Sequence, residues 1–305
     1  MSALTHIWPK SKLARKEALA FYAFILPWLL GFLAFTLYPM VASTYYSLTT
    51  YNVVEMKFVG LENYRNLIAD QKFYWSLWVT AKLTLVGVPL GIMLALGVAV
   101  LLNQKVPFLP FWRTVYYLPA VITGVAVALL WKWILNPQYG IINSLLMQLF
   151  HIQGPRWFWS EQWVIPAFWI MGLWGIGGSM VIYLAGLQGV PTALYEAAEI
   201  DGANAGQRFF NITLPMISPV IMFTLVTNLI GSLQVFTQVY VISNEGGPNN
   251  NSLVYVLYLF MNGFRWFRLG YASALAWVLF VIIVILTVLM LRASRNLVYY
   301  EAPGS

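Results

Sequence analysis

The sequence predicts an all-α polytopic membrane protein with six transmembrane helices, and three observations carry that prediction. Hydrophobic residues make up 60% of the 305-residue chain and charged residues only 9%, with a mean hydropathy of +0.72. Soluble domains carry roughly 25% charged residues, so the chain is an integral membrane protein. Six apolar segments reach the roughly 20 residues that a helix needs to cross hydrocarbon: 19–45, 75–102, 115–135, 164–187, 217–242 and 271–291. The densest basic group, Lys10, Lys12, Arg15 and Lys16, stands directly before the first of them, where the positive-inside rule places a cytoplasmic anchor.

The elements follow in order. Residues 1–17 form the basic tail, and the apolar stretch after it is too long for the core of a cleaved signal peptide. Pro27, Pro39, Pro89, Pro119 and Pro219 lie inside spans, where neighbouring helices re-satisfy the freed backbone groups. Six spans put both termini on one side. With the basic tail inside, nine Lys and Arg residues are cytoplasmic and six external, while Lys82 and Lys132 fall near the outer ends of helices. Those two lysines either serve a function, because charge at bilayer depth is costly, or snorkel to the interface. Lys132 lies between Trp131 and Trp133, which fits an aromatic belt. The glycines of "GLWGIGGS" (172–179) sit within a span, where small residues admit close helix packing or a substrate against the backbone. "NEGGPNNNS" (244–252) reads as a turn-rich loop. The six-helix domain covers 18–293 and a cytoplasmic tail covers 294–305.

Several function classes are excluded. With no cysteine and with His6 and His151 far apart, neither a disulfide scaffold nor a metal-ligand spacing is present. No G-x-x-x-x-G-K-[ST] loop exists to cradle phosphates, no nucleophile–base or paired-carboxylate constellation is evident, and the +7 charge forms no dense nucleic-acid footprint. The chain is therefore expected to be a non-enzyme that binds no cofactor and no nucleic acid.

Against that apolar background, "EAAEIDGANAGQRFFNITLP" (196–215) carries three acids within six residues. Pro191 suits the first position of a helix, "TALYEAAEI" consists mostly of good helix formers, and Gly202 is placed to end the helix in a left-handed conformation. A second short helix then leads to Pro215. Ala197 and Ala198 leave a low surface, and Glu196, Glu199 and Asp201 offer carboxylates to basic groups of another protein. The same charges would also serve a solvated interfacial loop.

The fifth span holds a second pattern. At 100° per residue, Gln234, Thr227, Gln238, Gly231, Thr224, Asn228 and Ser232 fall in that order within an arc of roughly 160°, with Val235 interrupting it. Amides and hydroxyls of this kind either bind a polyhydroxylated solute or join neighbouring helices.

Glu-Ala-Ala, then Gly202, then "ITLP" at this spacing resembles the EAA loop of binding-protein-dependent ABC importer permeases. "FVGLENYRNL" (58–67), "RTVYYLPAVITGVAVALLWKWILNPQYGIIN" (113–143), "NEGGPNNNS" and "GYASALAWVLF" are similar to the carbohydrate-uptake branch of that family, the maltose and glycerol-phosphate type. Unlike the larger maltose-type subunit, the first external segment here is short, with no inserted domain. The resemblance implies an inner-membrane permease with both termini cytoplasmic. The loop at about 190–215, with Glu196, Ala197, Ala198, Glu199, Asp201 and Gly202, would be the coupling helix that docks on a cytoplasmic ATPase. It also implies that Asn228, Gly231, Ser232, Gln234 and Gln238 line the sugar path, faced by Trp174, Gly175 and Gly178 of the fourth span. The implied partners are a second permease of different sequence, two ATPase subunits that hold ATP and Mg, an external solute-binding protein received on the short outer loops, and the lipid bilayer. The rivals are an ion-gradient-driven transporter or channel for a small polar solute, and a membrane assembly factor. The first would show ionisable residues at depth or broken helices in matching halves, and no such halves are evident in the sequence.

Overall fold

The structure, a computed structural model, describes residues 11–294; their regular secondary structure is helical, joined by loops and turns, apart from one isolated bridge between Thr49 and Phe58. Four helices are long and apolar enough to cross a membrane, or six spans if each of two bent pairs counts as one. Lys10 and His6 of the basic tail, and the C-terminal tail after Ser294, lie outside the described residues. Two compact units make up the fold: residues up to Leu67 with Asn262–Trp277, and Ile68–Met261 with the residues from Val278.

The first unit begins with α1 (Lys12–Phe32), a π-helical turn over Leu33–Leu37, and α2 (Tyr38–Ser47), together the first span (Arg15–Ser47). The wider turn sits just ahead of Pro39, which lacks the N–H for the carbonyl four residues back and crowds it. After α2 the chain turns through the Phe58 bridge into α3 (Glu62–Ala69). Asn63 holds this turn together. It is buried, and its Nδ2 donates to the carbonyls of Ser47 and Thr49, both at 2.8 Å, while Tyr64 Oη donates to Ser47 Oγ at 2.8 Å. Gly270 N donates to Tyr51 O at 3.1 Å, and a Cβ on Gly270 would collide with the Thr49 carbonyl. Asn63→Ala strands two carbonyls in a buried turn, at a cost of about 1–3 kcal/mol. The purified protein should therefore melt several degrees lower, and an unchanged midpoint would contradict this role for Asn63.

The second unit is built on α4 (Gln71–Leu102), which starts at an Asp70 cap with Oδ1 accepting from Lys72 N at 2.9 Å. The later helices are α5 (Leu109–Val121), α6 (Gly124–Ile134), α7 (Ile141–Phe150), α8 (Val164–Trp174), α9 (Gly177–Gln188), α10 (Thr192–Ile200), α11 (Ala205–Arg208), α12 (Leu214–Met216), α13 (Ser218–Leu233), α14 (Thr237–Ile242) and α15 (Tyr255–Phe260). The last helix, α16 (Leu269–Ser294), contributes to both units. α4 packs on α8, α9, α13 and α15. Its small Ala95 and Ala99, both fully buried, let Met180, Tyr183, Leu184 and Leu187 of α9 approach closely. Without a strong hydrophobic drive between helices in lipid, such close packing and interhelical hydrogen bonds hold the bundle. Those bonds include Tyr183 Oη with Thr224 Oγ1, Thr84 Oγ1 with Ser232 Oγ at 2.9 Å, and Tyr255 N donating to Thr80 Oγ1 at 2.8 Å. The turn-rich stretch holds positive φ at Gly246, Gly247, Asn249 and Asn250, and Trp75 Nε1 pins it by donating to Asn250 O at 2.9 Å.

Three of the expected continuous spans are interrupted. The third divides into α5 and α6, bent by 102°. Ile122 and Thr123 are extended at the break (ψ 137° and 145°), after Pro119 has weakened the end of α5. The fourth bends by 47° between α8 and α9 at Gly175 and Ile176. The fifth leaves helical geometry after Leu233 and resumes at Thr237, with Phe236 at φ −141°, ψ −61°. The six expected spans are thus present with breaks that the apolar pattern does not mark: apolar composition records the surroundings of a segment, not its direction.

Lys82 lies 5.0 Å from the Trp78 ring centroid and 5.8 Å from that of Trp75, both one or two turns back along α4. This cation–π cradle stabilises the charge where it stands. Lys132 falls in the last turn of α6, where a cation complements the helix dipole. His151 ends α7 in a left-handed conformation (φ 56°).

Candidate functional site: a polar cavity and a helical hairpin

The interruptions in the third, fourth and fifth spans all border one cavity of about 520 Å3, whose remaining wall is α4. Trp174 and Gly175 line it from the fourth span, with Asn228, Gly231 and Ser232 from α13 and Gln238 from α14. Asn228 Nδ2 donates to Ser179 Oγ at 3.3 Å, which orients its amide. Trp131 packs edge-on against Trp174, with centroids 6.0 Å apart. At the α6 break, a Cβ on Gly124 would stand 3.2 Å from Gln238 Nε2, so the glycine leaves room for that amide.

Two of the residues expected on the path do not reach the cavity. Gln234 is exposed, because the helix ends at Leu233 and the 100° rotation no longer applies beyond it. Gly178 is not among the lining residues, and no described atom lies within 4 Å of where its Cβ would be. Thr224, also in the polar arc, is buried and bonded to Tyr183, so it serves packing. The glycine stretch does two jobs: Gly172 and Gly175 face the cavity, whereas Gly177 abuts the backbone of Tyr116 and Tyr117.

The sequence reading missed the other wall. Trp169 lines the cavity, donates from Nε1 to Leu83 O at 3.3 Å, and rests on Gly87, whose Cβ would come within 3.2 Å of its ring. Gly87 and Gly91 stand four residues apart and so share a face of α4, a spacing that could have pointed to a ligand-facing strip. No Asp, Glu, Lys, Arg or His lines the cavity among the described residues. Its walls combine aliphatic side chains, indole faces, amides, hydroxyls and bare backbone.

The second feature is the acidic hairpin. α10 runs from Thr192 to Ile200, with Pro191 as its N-cap rather than its first helical residue. It ends in a Schellman motif: Ala203 N donates to Ala198 O at 2.9 Å and Gly202 N to Glu199 O at 3.0 Å, with Gly202 at φ +76°. Asn204 and Gln207 then form a capping box that starts α11 (2.9 and 2.8 Å). Tyr195 Oη and Thr213 Oγ1 lie 2.9 Å apart, closing the hairpin at its base.

Glu199 is already engaged, forming an ion pair with Arg208 across the turn. Glu196 and Asp201 have no ion-pair partner among the described residues. Asp201 stands at the negative end of the α10 dipole, where an acid costs roughly 0.3–1 kcal/mol, so helix stability does not explain it. Ala197 is exposed and Ala198 half-buried. The sequence reading also passed over Ile200, which is 87% exposed at the tip; an apolar residue at the end of a charged helix was the available signal.

Helices long and apolar enough to cross a membrane surround an uncharged cavity lined by both apolar and polar groups, an arrangement that suits a solute permease. The family described as "Binding-protein-dependent transport system inner membrane component" matches residues 87–298, more than half of the chain. The chain is 43% identical over 297 residues to "Probable ABC transporter permease protein YesP" of Bacillus subtilis (strain 168), covering 96% of each chain. It is 34% identical over 260 residues to "Sulfoquinovosyl glycerol transport system permease protein SmoG" of Agrobacterium fabrum, covering 84% of this chain and 83% of that one. The fold matches a chain of the bacterial alginate ABC transporter solved with an alginate pentasaccharide-bound periplasmic protein. The TM-score there is 0.84 at 24% identity, covering 94% of this chain and 98% of that one. The protein belongs to the binding-protein-dependent ABC transporter permeases, in the carbohydrate-uptake branch. It is a multi-pass inner-membrane permease subunit, the non-catalytic transport component of its system.

Proposed function

We propose that this permease conducts a sugar or oligosaccharide inward through the 520 Å3 cavity, with both termini cytoplasmic and α10–α11 as the hairpin that receives force from an ATPase. The observation that carries the substrate reading is the cavity lining: tryptophan faces for sugar rings, amides and hydroxyls for their hydroxyls, and no charge. Interrupted spans also occur in ion-driven transporters, whose ion and proton pathways are often marked by intramembrane ionisable residues, and this cavity holds none among the described residues.

In the working complex the chain would pair with a second permease of different sequence, two cytoplasmic ATPase subunits that bind ATP and Mg, and an external solute-binding protein seated on the outer loops. Glu196 and Asp201 would meet basic side chains of the ATPase, Ile200 would enter an apolar groove, and Ala197 would allow the close approach. The Glu199–Arg208 pair, the capping box and the Tyr195–Thr213 bond keep the hairpin stiff, so that motion of the ATPase passes to α9 and α13.

The test is uptake by the assembled transporter across a panel of sugars. Asn228→Leu removes an amide from the cavity and should lower uptake about tenfold or change the preferred sugar, with the complex still forming. Gln234→Leu, on an exposed residue outside the cavity, should leave uptake unchanged. Equal uptake and preference in both variants would contradict the cavity as the path.

A further inference from the structure

A second cavity, of about 800 Å3, lies in the connection between α6 and α8, with Gln138, Gln148, Gln153, Arg156 and Trp159 among its lining. Nothing in the family assignment gives it a role. Its walls are held in advance of any ligand. Asn143, only 8% exposed, donates from Nδ2 to Pro155 O at 3.1 Å and Pro137 O at 3.3 Å, and its Oδ1 accepts from Trp157 Nε1 at 2.7 Å. Gly154 lies so close that a Cβ there would collide with the Asn143 carboxamide. Asn136 Oδ1 fixes the opposite rim, accepting from Gln138 N at 2.9 Å and Tyr139 N at 3.2 Å. Arg156 is exposed and forms no ion pair among the described residues.

We infer that this pocket is an outer oligosaccharide subsite, a proposal that rests on the sugar reading above. Each glutamine amide both donates and accepts, and the guanidinium offers up to five donors. That set matches hydroxyl groups, which also do both. Trp159 supplies an apolar face for a sugar ring. The volume falls in the range of ligand pockets, roughly 300–1,000 Å3, and has room for several sugar units, whereas a single side chain of a docked protein would occupy a small part of it. In chain order the α8–α9 span separates this pocket from the α10–α11 hairpin, which places it on the face where the binding protein would release its sugar.

The experiment uses the assembled transporter in lipid nanodiscs, without the binding protein. Maltotriose, cellotriose, xylotriose and mannotriose are titrated and followed by saturation-transfer NMR, in the wild type and in an Asn228→Leu background that weakens the main cavity without altering this pocket. At least one trisaccharide should bind in both. Trp159→Ala should weaken it about fivefold and Arg156→Gln about threefold to tenfold, and Trp159→Phe should recover most of the affinity. Failure of the sugar reading would appear separately, as absent uptake of every sugar. Binding by none of the four, or binding unaffected by Trp159→Ala and Arg156→Gln, would overturn the subsite. In a separate pull-down with the binding protein added, loss of its association in Trp159→Ala, together with no sugar binding in the titration, would also overturn the subsite and give the pocket to a protein loop.

Discussion

Gly177→Ala should prevent the protein from accumulating as a folded species, whereas Gly178→Ala, one residue on, should be tolerated. A Cβ on Gly177 would collide with the carbonyl oxygen of Tyr116 and stand 2.8 Å from the Cα of Tyr117. These are backbone atoms of α5 and cannot swing aside, so α5 and α9 must separate at their contact. Overpacking typically costs about 1–3 kcal/mol and more where backbone must move, a large share of the roughly 5–15 kcal/mol by which a native domain is stable. At Gly178 no described atom lies within 4 Å of the added methyl, and an alanine in a helix gains about 0.5–1 kcal/mol over glycine. Size-exclusion chromatography after a heat step separates the two outcomes. Equal melting of both variants would show that α5 and α9 do not meet as described.

The second large effect is expected at Gly202. Its φ of +76° completes the Schellman turn between α10 and α11, and a β-branched residue is a true outlier there. Gly202→Val should swing α11 away from α10, break the Glu199–Arg208 and Tyr195–Thr213 links, and present the ATPase with a distorted surface. Capture of the ATPase in detergent should fall at least tenfold, while the melting midpoint of the permease changes little because no neighbour crowds the site. Gly202→Asn should behave almost like wild type, since asparagine tolerates the left-handed region. Equal ATPase capture by the valine and asparagine variants would remove the hairpin from the coupling role.

How much of this was legible in the sequence depended on the kind of information each feature carries. Span positions follow from local composition, and the helix–glycine–helix pattern of the hairpin follows from Gly202, Asn204 and Gln207 acting on their neighbours. The breaks were not legible. The third span turns at Ile122 and Thr123, three residues past the nearest proline, and the fifth loses helical geometry at 234–236 with neither glycine nor proline present. Extending a helical wheel through that second break carried Gln234 into the polar face, although Gln238, beyond the break, lines the cavity. Asn228, Gly231 and Ser232 line the cavity as the helical wheel expects because all three lie before the fifth span loses helical register, whereas Trp174 and Gly175 were expected there through the family resemblance. The α4 wall needed the contact of Trp169 with Leu83 and Gly87, more than eighty residues away in sequence. The Glu199–Arg208 pair spans a turn, not a helix face, so helical spacing could not reveal it.

The central claim is that ATP hydrolysis on partner subunits drives a sugar through this permease. It is tested most directly by labelled-sugar uptake into proteoliposomes holding the complete complex, with the binding protein and sugar outside and ATP enclosed within. Uptake should require internal ATP, persist after protonophore and sodium ionophore have collapsed all ion gradients, and fall about tenfold with Asn228→Leu. Uptake that proceeds without ATP and disappears with the ion gradients would contradict the account.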